Sequence, residues 1–194
     1  MFIFISLYNR RMPEPQFARI GMVARWRPVH NGQAAVLRAL CSNAREVLIG
    51  IGSSNRYNAR NPFTLTETED MLRLVLDGRD NVRLIPVPDL DDGPRWRLML
   101  LGLFGPLDLF VTDNPCVADL LKDDYPLRRP VELVPLNERV SIDGSMVRAA
   151  MARGERWQVW VPEKVAEYIQ SNGLDVRFRK EFGLETLAMA TILS

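Results

Sequence analysis

Along the chain, short apolar runs alternate with longer amphipathic segments. Residues 18–25, ARIGMVAR, are largely small and apolar, as in a strand buried on both faces. A break at Pro28 follows. Asn31 is then placed to cap a helix in which Ala34, Leu37, Leu40 and Cys41 recur on one face. EVLIGIG at 46–52 reads as a second buried strand, and SSNRYNARNPF at 53–63 is polar, broken and long enough for a functional loop. Thr66 and Glu69 have capping-box spacing ahead of Met71, Leu72, Leu74 and Val75, and Gly78 stops that helix.

The alternation then repeats. NVRLIPVP (81–88) is strand-like, Trp96–Phe104 helical, LDLFVT (107–112) strand-like, Val117–Lys122 a short helix and VELVP (131–135) a last strand. This order predicts an α/β fold with a doubly wound parallel sheet, its ligand lying beyond the carboxyl ends of the strands. Two short helices follow, Ser145–Arg153 before Gly154 and a second from Pro162 to about Ser171, giving a small C-terminal helical part. The tail, 175–194, pairs basic residues at 177, 179 and 180 with an apolar stretch at 184–193. It suits docking on the body or on a second subunit, and composition does not choose.

Composition narrows the classes. A length of 194 residues suits one domain, and 47% hydrophobic content is enough for one substantial core. A net charge of +1 supplies no chain-wide attraction to nucleic acid or to an anionic membrane. Lysine occurs only at Lys122, Lys164 and Lys180, so nearly all the positive charge is arginine, whose planar fork suits phosphate. Cys41 and Cys116 are too few for a disulfide framework. MFIFISLYNRR lacks a basic lead and a cleavage site, Met12 offers an alternative start, and no run is long enough to span a bilayer. The expectation is a cytoplasmic protein.

The chain has a single histidine, His30, in RWRPVHNGQAAV, between the first strand and the first helix. An α/β sheet places phosphate-binding groups there, because helix-start N–H groups and the helix dipole both favour anions. Capping or packing would also account for a lone histidine, and position alone favours that. Gly32 would let a ligand approach the backbone closely. The chain has no G-x-x-x-x-G-K-[ST] loop, no G-x-G-x-x-G after the first strand and no G-x-S-x-G, which argues against P-loop hydrolases, ordinary dinucleotide dehydrogenases and simple serine hydrolases.

RWRPVHNGQ resembles the R-F-x-P-x-H-x-G-H signature of the nucleotidyltransferase superfamily, and most of all its archaeal-type nicotinamide-mononucleotide adenylyltransferases. The likeness recurs in order at VLIGIGSS (47–54), NPFT (61–64), IPVPD (85–89) with Trp96, TDNP (112–115), IDGSMVRAAM (142–151) and GERWQVWVPEKVAEYI (154–169). It spans roughly residues 19–170. It implies a Rossmann-like nucleotidyltransferase fold, with residues 1–16 an extension, 17–174 the nucleotidyltransferase domain and 175–194 a tail. It further implies transfer of AMP from ATP, with Mg²⁺, to nicotinamide mononucleotide, giving NAD and pyrophosphate. Relatives in the superfamily use other phosphate acceptors or CTP, and archaeal-type relatives tend to be homo-oligomers.

By the resemblance, His30 contacts the ATP phosphates, Gly32 lets the helix start approach them, and Ser145 and Arg148 hold the β- and γ-phosphates. Ala24, Arg25, Trp26 and Asn114 fall among the nucleotide-binding positions. Ser53, Asp89 and Trp96 fall among the acceptor-binding ones, the indole being available to stack. Without the motifs, Arg148 reads as an exposed helical arginine, Trp96 equally well as an apolar helix residue, and Ser53, Asp113 and Asn114 equally well as caps. The chain also departs from the family pattern. Gln33 stands for the second histidine of the signature, and glutamine cannot become a cation. Ala24 stands for a glycine, Thr68 for an arginine after Glu67, and Asp143 for a serine. Two readings follow: an adenylyltransferase in which His30, Gln33 and Arg148 serve the chemical step, or a nucleotide-binding homologue impaired in catalysis.

Overall fold

The computed structural model describes residues 14–192, with side chains through 189. Five strands, β1 (Phe17–Ala24), β2 (Ala44–Gly52), β3 (Val82–Val87), β4 (Leu109–Val111) and β5 (Leu127–Arg128), form a sheet in the order β3-β2-β1-β4-β5. Every pairing is parallel. The chain winds outward from β1 in one direction and then returns to wind outward in the other. The crevice at that switch point therefore opens beyond the ends of β1 and β4.

Strand alternation explains why helices cover both faces. Val47, Ile49 and Ile51 of β2 join one buried cluster, and Leu48 joins the other. The first cluster packs α1 (Asn31–Asn43), α2 (Leu65–Leu76), α6 (Gly144–Arg153), α7 (Glu163–Ser171) and α8 (Leu174–Ile192). The second packs α3 (Gly93–Phe104) and α4 (Pro115–Leu121) through Leu100, Phe104 and Leu121. No helix among the described residues is long and apolar enough to cross a membrane.

Several local expectations need correction. The segment 131–135 is not a strand. Pro130–Leu133 forms a one-turn helix, α5, and Val134 is buried beside Ala35 and Ala39 of α1. Proline cannot donate to a ladder, and a short apolar run that rests on a helix through one buried residue, Val134, has the same sequence signature as a strand. The capping box of α2 is Thr64 with Glu67, one of two pairs at the same spacing; fully buried Phe63 anchors the chain just ahead of it. Asp92 and Pro94 start α3 earlier than Trp96. Helix α1 is capped by His30, while the Asn31 amide donates to Val159 O at 3.0 Å.

The tail is a helix docked on the body. Fully buried Phe178 inserts into the main core, and Arg177 forks onto Glu67 at 2.5 and 2.7 Å and donates to Pro62 O. Burial opposes ionisation of Glu67, but Arg177 and Thr64 outweigh it and hold the carboxyl below its usual range. Residues 1–13 of the expected extension lie outside the described residues. Truncating Phe178→Ala should lower the unfolding free energy by about 3–5 kcal/mol. Urea denaturation would read this as a lower midpoint, and an unchanged midpoint would mean that α8 is not integral to the core.

Candidate active site

The bend from β1 into α1 carries the RWRPVH stretch. Trp26 sits at φ 57°, a region unfavourable for a bulky residue. Complete burial of its indole and donation from Nε1 to Gly50 O at 2.9 Å hold it there. Its ring is a core anchor, and Trp26 borders the central cavity only at the edge of that buried position. The residues on either side diverge. Arg25 is exposed, whereas Arg27 is buried, its Nε donating to Thr68 Oγ1 at 3.1 Å and its Nη1 to Ser53 O at 3.0 Å. A guanidinium thus lies against position 68, delivered from position 27. Burial, with Arg25 adding to it, pushes the Arg27 pKa down to about 10.

His30 is only 8% exposed, but its ring borders two cavities. The Gln33 N–H donates to Nδ1, and the His30 N–H donates to Gln33 Oε1, both at 3.3 Å. The pair therefore forms a capping box, so the capping role and the site position coincide in one residue. Burial lowers the imidazole pKa to about 4, with Asp143 opposing and Arg148 adding to the shift. The ring is neutral at pH 7. With Nδ1 accepting, its proton resides on Nε2. Gly32 is close-packed rather than open: a methyl there would stand 3.2 Å from Val140 O and 3.3 Å from His30 Nδ1.

The central cavity, about 350 Å³, is lined by Ala24, Arg25, His30, Gln33, Ser145 and Arg148, so the structure brings these motif residues together. Arg148 Nη1 donates to Arg27 O at 3.0 Å. A Cβ on Gly144 would meet that guanidinium at 3.0 Å, which explains a glycine at the start of α6. Asp143 caps α6: its Oδ1 accepts from the Ser145 amide at 2.7 Å, the Met146 amide at 2.9 Å and the Ser145 hydroxyl at 2.5 Å. Burial disfavours its charge, but these hydrogen bonds prevail and keep its pKa below the usual carboxylate value. Two of the amides at the start of α6 are thus taken by the chain's own carboxylate.

Two further cavities meet this one. An apolar one of about 330 Å³ lies beside His30, Gly32 and Gln33, walled by Val36, Val131, Val140 and Ile142. A polar one of about 460 Å³ shares Arg25 and holds Ser53, Asp89, Trp96 and Asn114. Both volumes fall within the ordinary range for small-molecule sites, about 300–1,000 Å³. Asn114 thus lines the polar cavity with Ser53, Asp89 and Trp96 and not the central one, and its Oδ1 caps α4 through the Cys116 amide at 2.9 Å. Asp113 pairs with Arg129 at 2.8 Å. Asp89 is held by reciprocal bonds with the Asn55 side chain at 2.8 and 2.9 Å. Sequence reasoning did not single out Arg27 or Gly144. Neither a buried guanidinium nor its glycine slot has a periodic signature, since both depend on partners distant in the chain. Among the described residues, no three His, Cys, Asp or Glu side chains converge as a metal site.

No family model matches the chain. It is 34% identical over 149 residues to the nicotinamide-nucleotide adenylyltransferase of Methanocorpusculum labreanum, covering 76% of this chain and 87% of that protein. The Methanococcus vannielii protein of the same name is 32% identical over 155 residues, covering 78% and 87%. Among solved structures, a bifunctional NMN adenylyltransferase/ADP ribose pyrophosphatase from Francisella tularensis matches with a TM-score of 0.68 at 16% identity, over 91% of this chain and 54% of that one. A second structure of that name from the same organism, complexed with AMP and a manganese ion, matches with a TM-score of 0.63 at 16% identity, over 91% and 53%. At that identity the structural likeness speaks for the fold. The sequence relatives speak for more: the chain belongs to the nicotinamide-nucleotide adenylyltransferase family.

Proposed function

We propose that this chain transfers AMP from ATP to nicotinamide mononucleotide, releasing NAD and pyrophosphate. The observation that carries the reading is the central cavity, where His30, Arg25 and Arg148 converge between an apolar and a polar cavity. The apolar cavity suits a purine. The polar cavity, with the half-buried Trp96 and the Asp89 carboxylate, suits a cationic aromatic ring. The α-phosphate then lies between them. An oxygen of the acceptor phosphate attacks the α-phosphorus, one P–O bond forms, the bond to the β-phosphate oxygen breaks, and pyrophosphate departs.

The acceptor oxygen is already anionic, so no strong base is needed. The residues act by positioning two polyanions and stabilising charge on the five-coordinate phosphorus. His30 donates from Nε2, and the arginines supply fixed positive charge. Divalent metal, Mg²⁺ in this reading, is carried by the triphosphate's own oxygens and enters with the substrate. Asp89, Asn114 and Ser53 orient the acceptor.

Incubation with ATP, Mg²⁺ and nicotinamide mononucleotide should yield NAD and pyrophosphate, and His30→Ala should lower kcat about a hundredfold or more. Tight ATP binding with no turnover would instead favour a nucleotide-binding homologue. Asp143→Ser, which removes the anion competing for the start of α6, should lower the KM for ATP roughly fivefold, from about 1 kcal/mol of relieved repulsion. An unchanged or raised KM would place the triphosphate elsewhere. As the sole histidine, His30 gives an unambiguous imidazole proton resonance. Its titration midpoint should lie near 4 in the free protein and move upward with bound ATP, because nearby phosphate charge favours the imidazolium. A midpoint indifferent to ATP would separate the ring from the phosphates.

A further inference from the structure

The 53–63 loop reaches the polar cavity at one end and α8 at the other. Ser53 and Asp91, both in the wall of that cavity, sit at φ 53° and 54°, a backbone region that non-glycine residues rarely adopt. Such conformations persist only where neighbours fix them. Here the Asn55 side chain holds the Asp89 backbone, while the Arg56 guanidinium lies 3.8 Å from the Asp89 carboxylate and also pairs with Asp91. On the inner side, Arg27 Nη1 donates to Ser53 O at 3.0 Å and to Arg56 O at 3.4 Å. On the outer side, one face of α8 converges on a single side chain, Tyr57. Its hydroxyl donates to Glu181 Oε2 at 2.5 Å, its ring meets Phe182 edge-on at 5.1 Å, and the Arg177 guanidinium stands 5.8 Å from its centroid. Burial, then the bond to Glu181, push the Tyr57 pKa up to about 12, so the phenol remains a donor at neutral pH.

A tyrosine that is 47% exposed gains little from burial, so these contacts fix the loop's position more than they stabilise the core. Helix α8 is a firm abutment, because Phe178 anchors it in the main core and Arg177 grips Glu67. The turn that follows Tyr57 has its own bracing. Asn58 and Asn61 exchange backbone hydrogen bonds at 3.2 and 2.8 Å, and Asn58 Oδ1 accepts from the Arg60 and Asn61 amides. That turn carries Arg60 to a further cavity between α6 and α8, which it lines with Arg25 and Arg148. Loss of Tyr57 therefore frees residues 53–56 and leaves the Arg60 turn braced. We propose that Tyr57 is a positioning residue for the acceptor. Through it α8 holds the 53–56 segment, and with it the Asp89 carboxylate, in place at the polar cavity. The identity of the acceptor rests on the adenylyl-transfer reading, whereas the clamp rests on these contacts alone.

The test assays the full chain with ATP, Mg²⁺ and nicotinamide mononucleotide, and a second arm follows amide hydrogen exchange over residues 53–56 without substrates. Tyr57→Ala should raise the KM for nicotinamide mononucleotide about tenfold, with kcat and the KM for ATP staying within about twofold. Tyr57→Phe and Glu181→Ala should each raise the acceptor KM about threefold, and Glu181→Gln, which keeps an accepting oxygen, should bring it within about twofold of wild type. In the second arm, Glu181→Ala should speed exchange of the Ser54 and Arg56 amides about threefold, since their bonds to Val87 O and Ser53 O open with the loop. A tyrosine that served only stability would lower the urea midpoint and move both KM values together. That pattern, or an acceptor KM indifferent to Tyr57→Ala, overturns the proposal. Because the exchange arm needs no turnover, the two readings can fail separately. A chain that makes no NAD yet exchanges faster on Glu181→Ala keeps the clamp and loses the reaction. Normal turnover with unaltered exchange and acceptor KM does the reverse.

Discussion

The site depends on how Trp26 is held. Its backbone occupies a region that bulky residues avoid, and only full burial of the ring and its bond to Gly50 O keep it there. That turn sends Arg25 out over the cavities and Arg27 into the body. It also delivers the chain to His30 in position to start α1. A core residue thus sets the directions of the charged ones. The cost of the strained backbone is offset by apolar burial, which is the larger effect for a side chain of this size.

Electrostatics then divides the crevice. The imidazole stays neutral because burial outweighs the attraction of Asp143. Asp143 stays charged because three hydrogen bonds outweigh its own burial. Positive charge is concentrated instead on Arg25, Arg60 and Arg148, around cavities that meet at the end of β1. These cavities thus present guanidinium charge beside a neutral histidine. The departure at position 143 adds a carboxylate at the start of α6, where it takes the Ser145 and Met146 amides.

Other departures look milder in three dimensions than in one. Thr68 lacks the expected guanidinium, yet Arg27 brings one to its hydroxyl. Gln33 lacks a titratable ring, yet it completes a box with the His30 backbone and borders the same cavity. The first compensation is not readable from spacing, because position 27 meets position 68 only through the fold, whereas the second has the local spacing of a capping box.

By itself the sequence determined the parallel α/β order, the buried strands, the helix stops at Gly78 and Gly154, and the motif residues that line the central cavity. Those features rest on local periodicity, turn chemistry and short motifs, which need no distant partner. Tertiary structure decided the rest. It made 130–133 a helix, because a short apolar run resting on α1 through Val134 and one buried in a sheet look alike until a neighbour is chosen. It placed Asn114 in the polar cavity and drew the Trp26 ring into the core. It also seated α8 on α6, forming the arginine-lined cavity, because packing between elements far apart in the chain has no local signature.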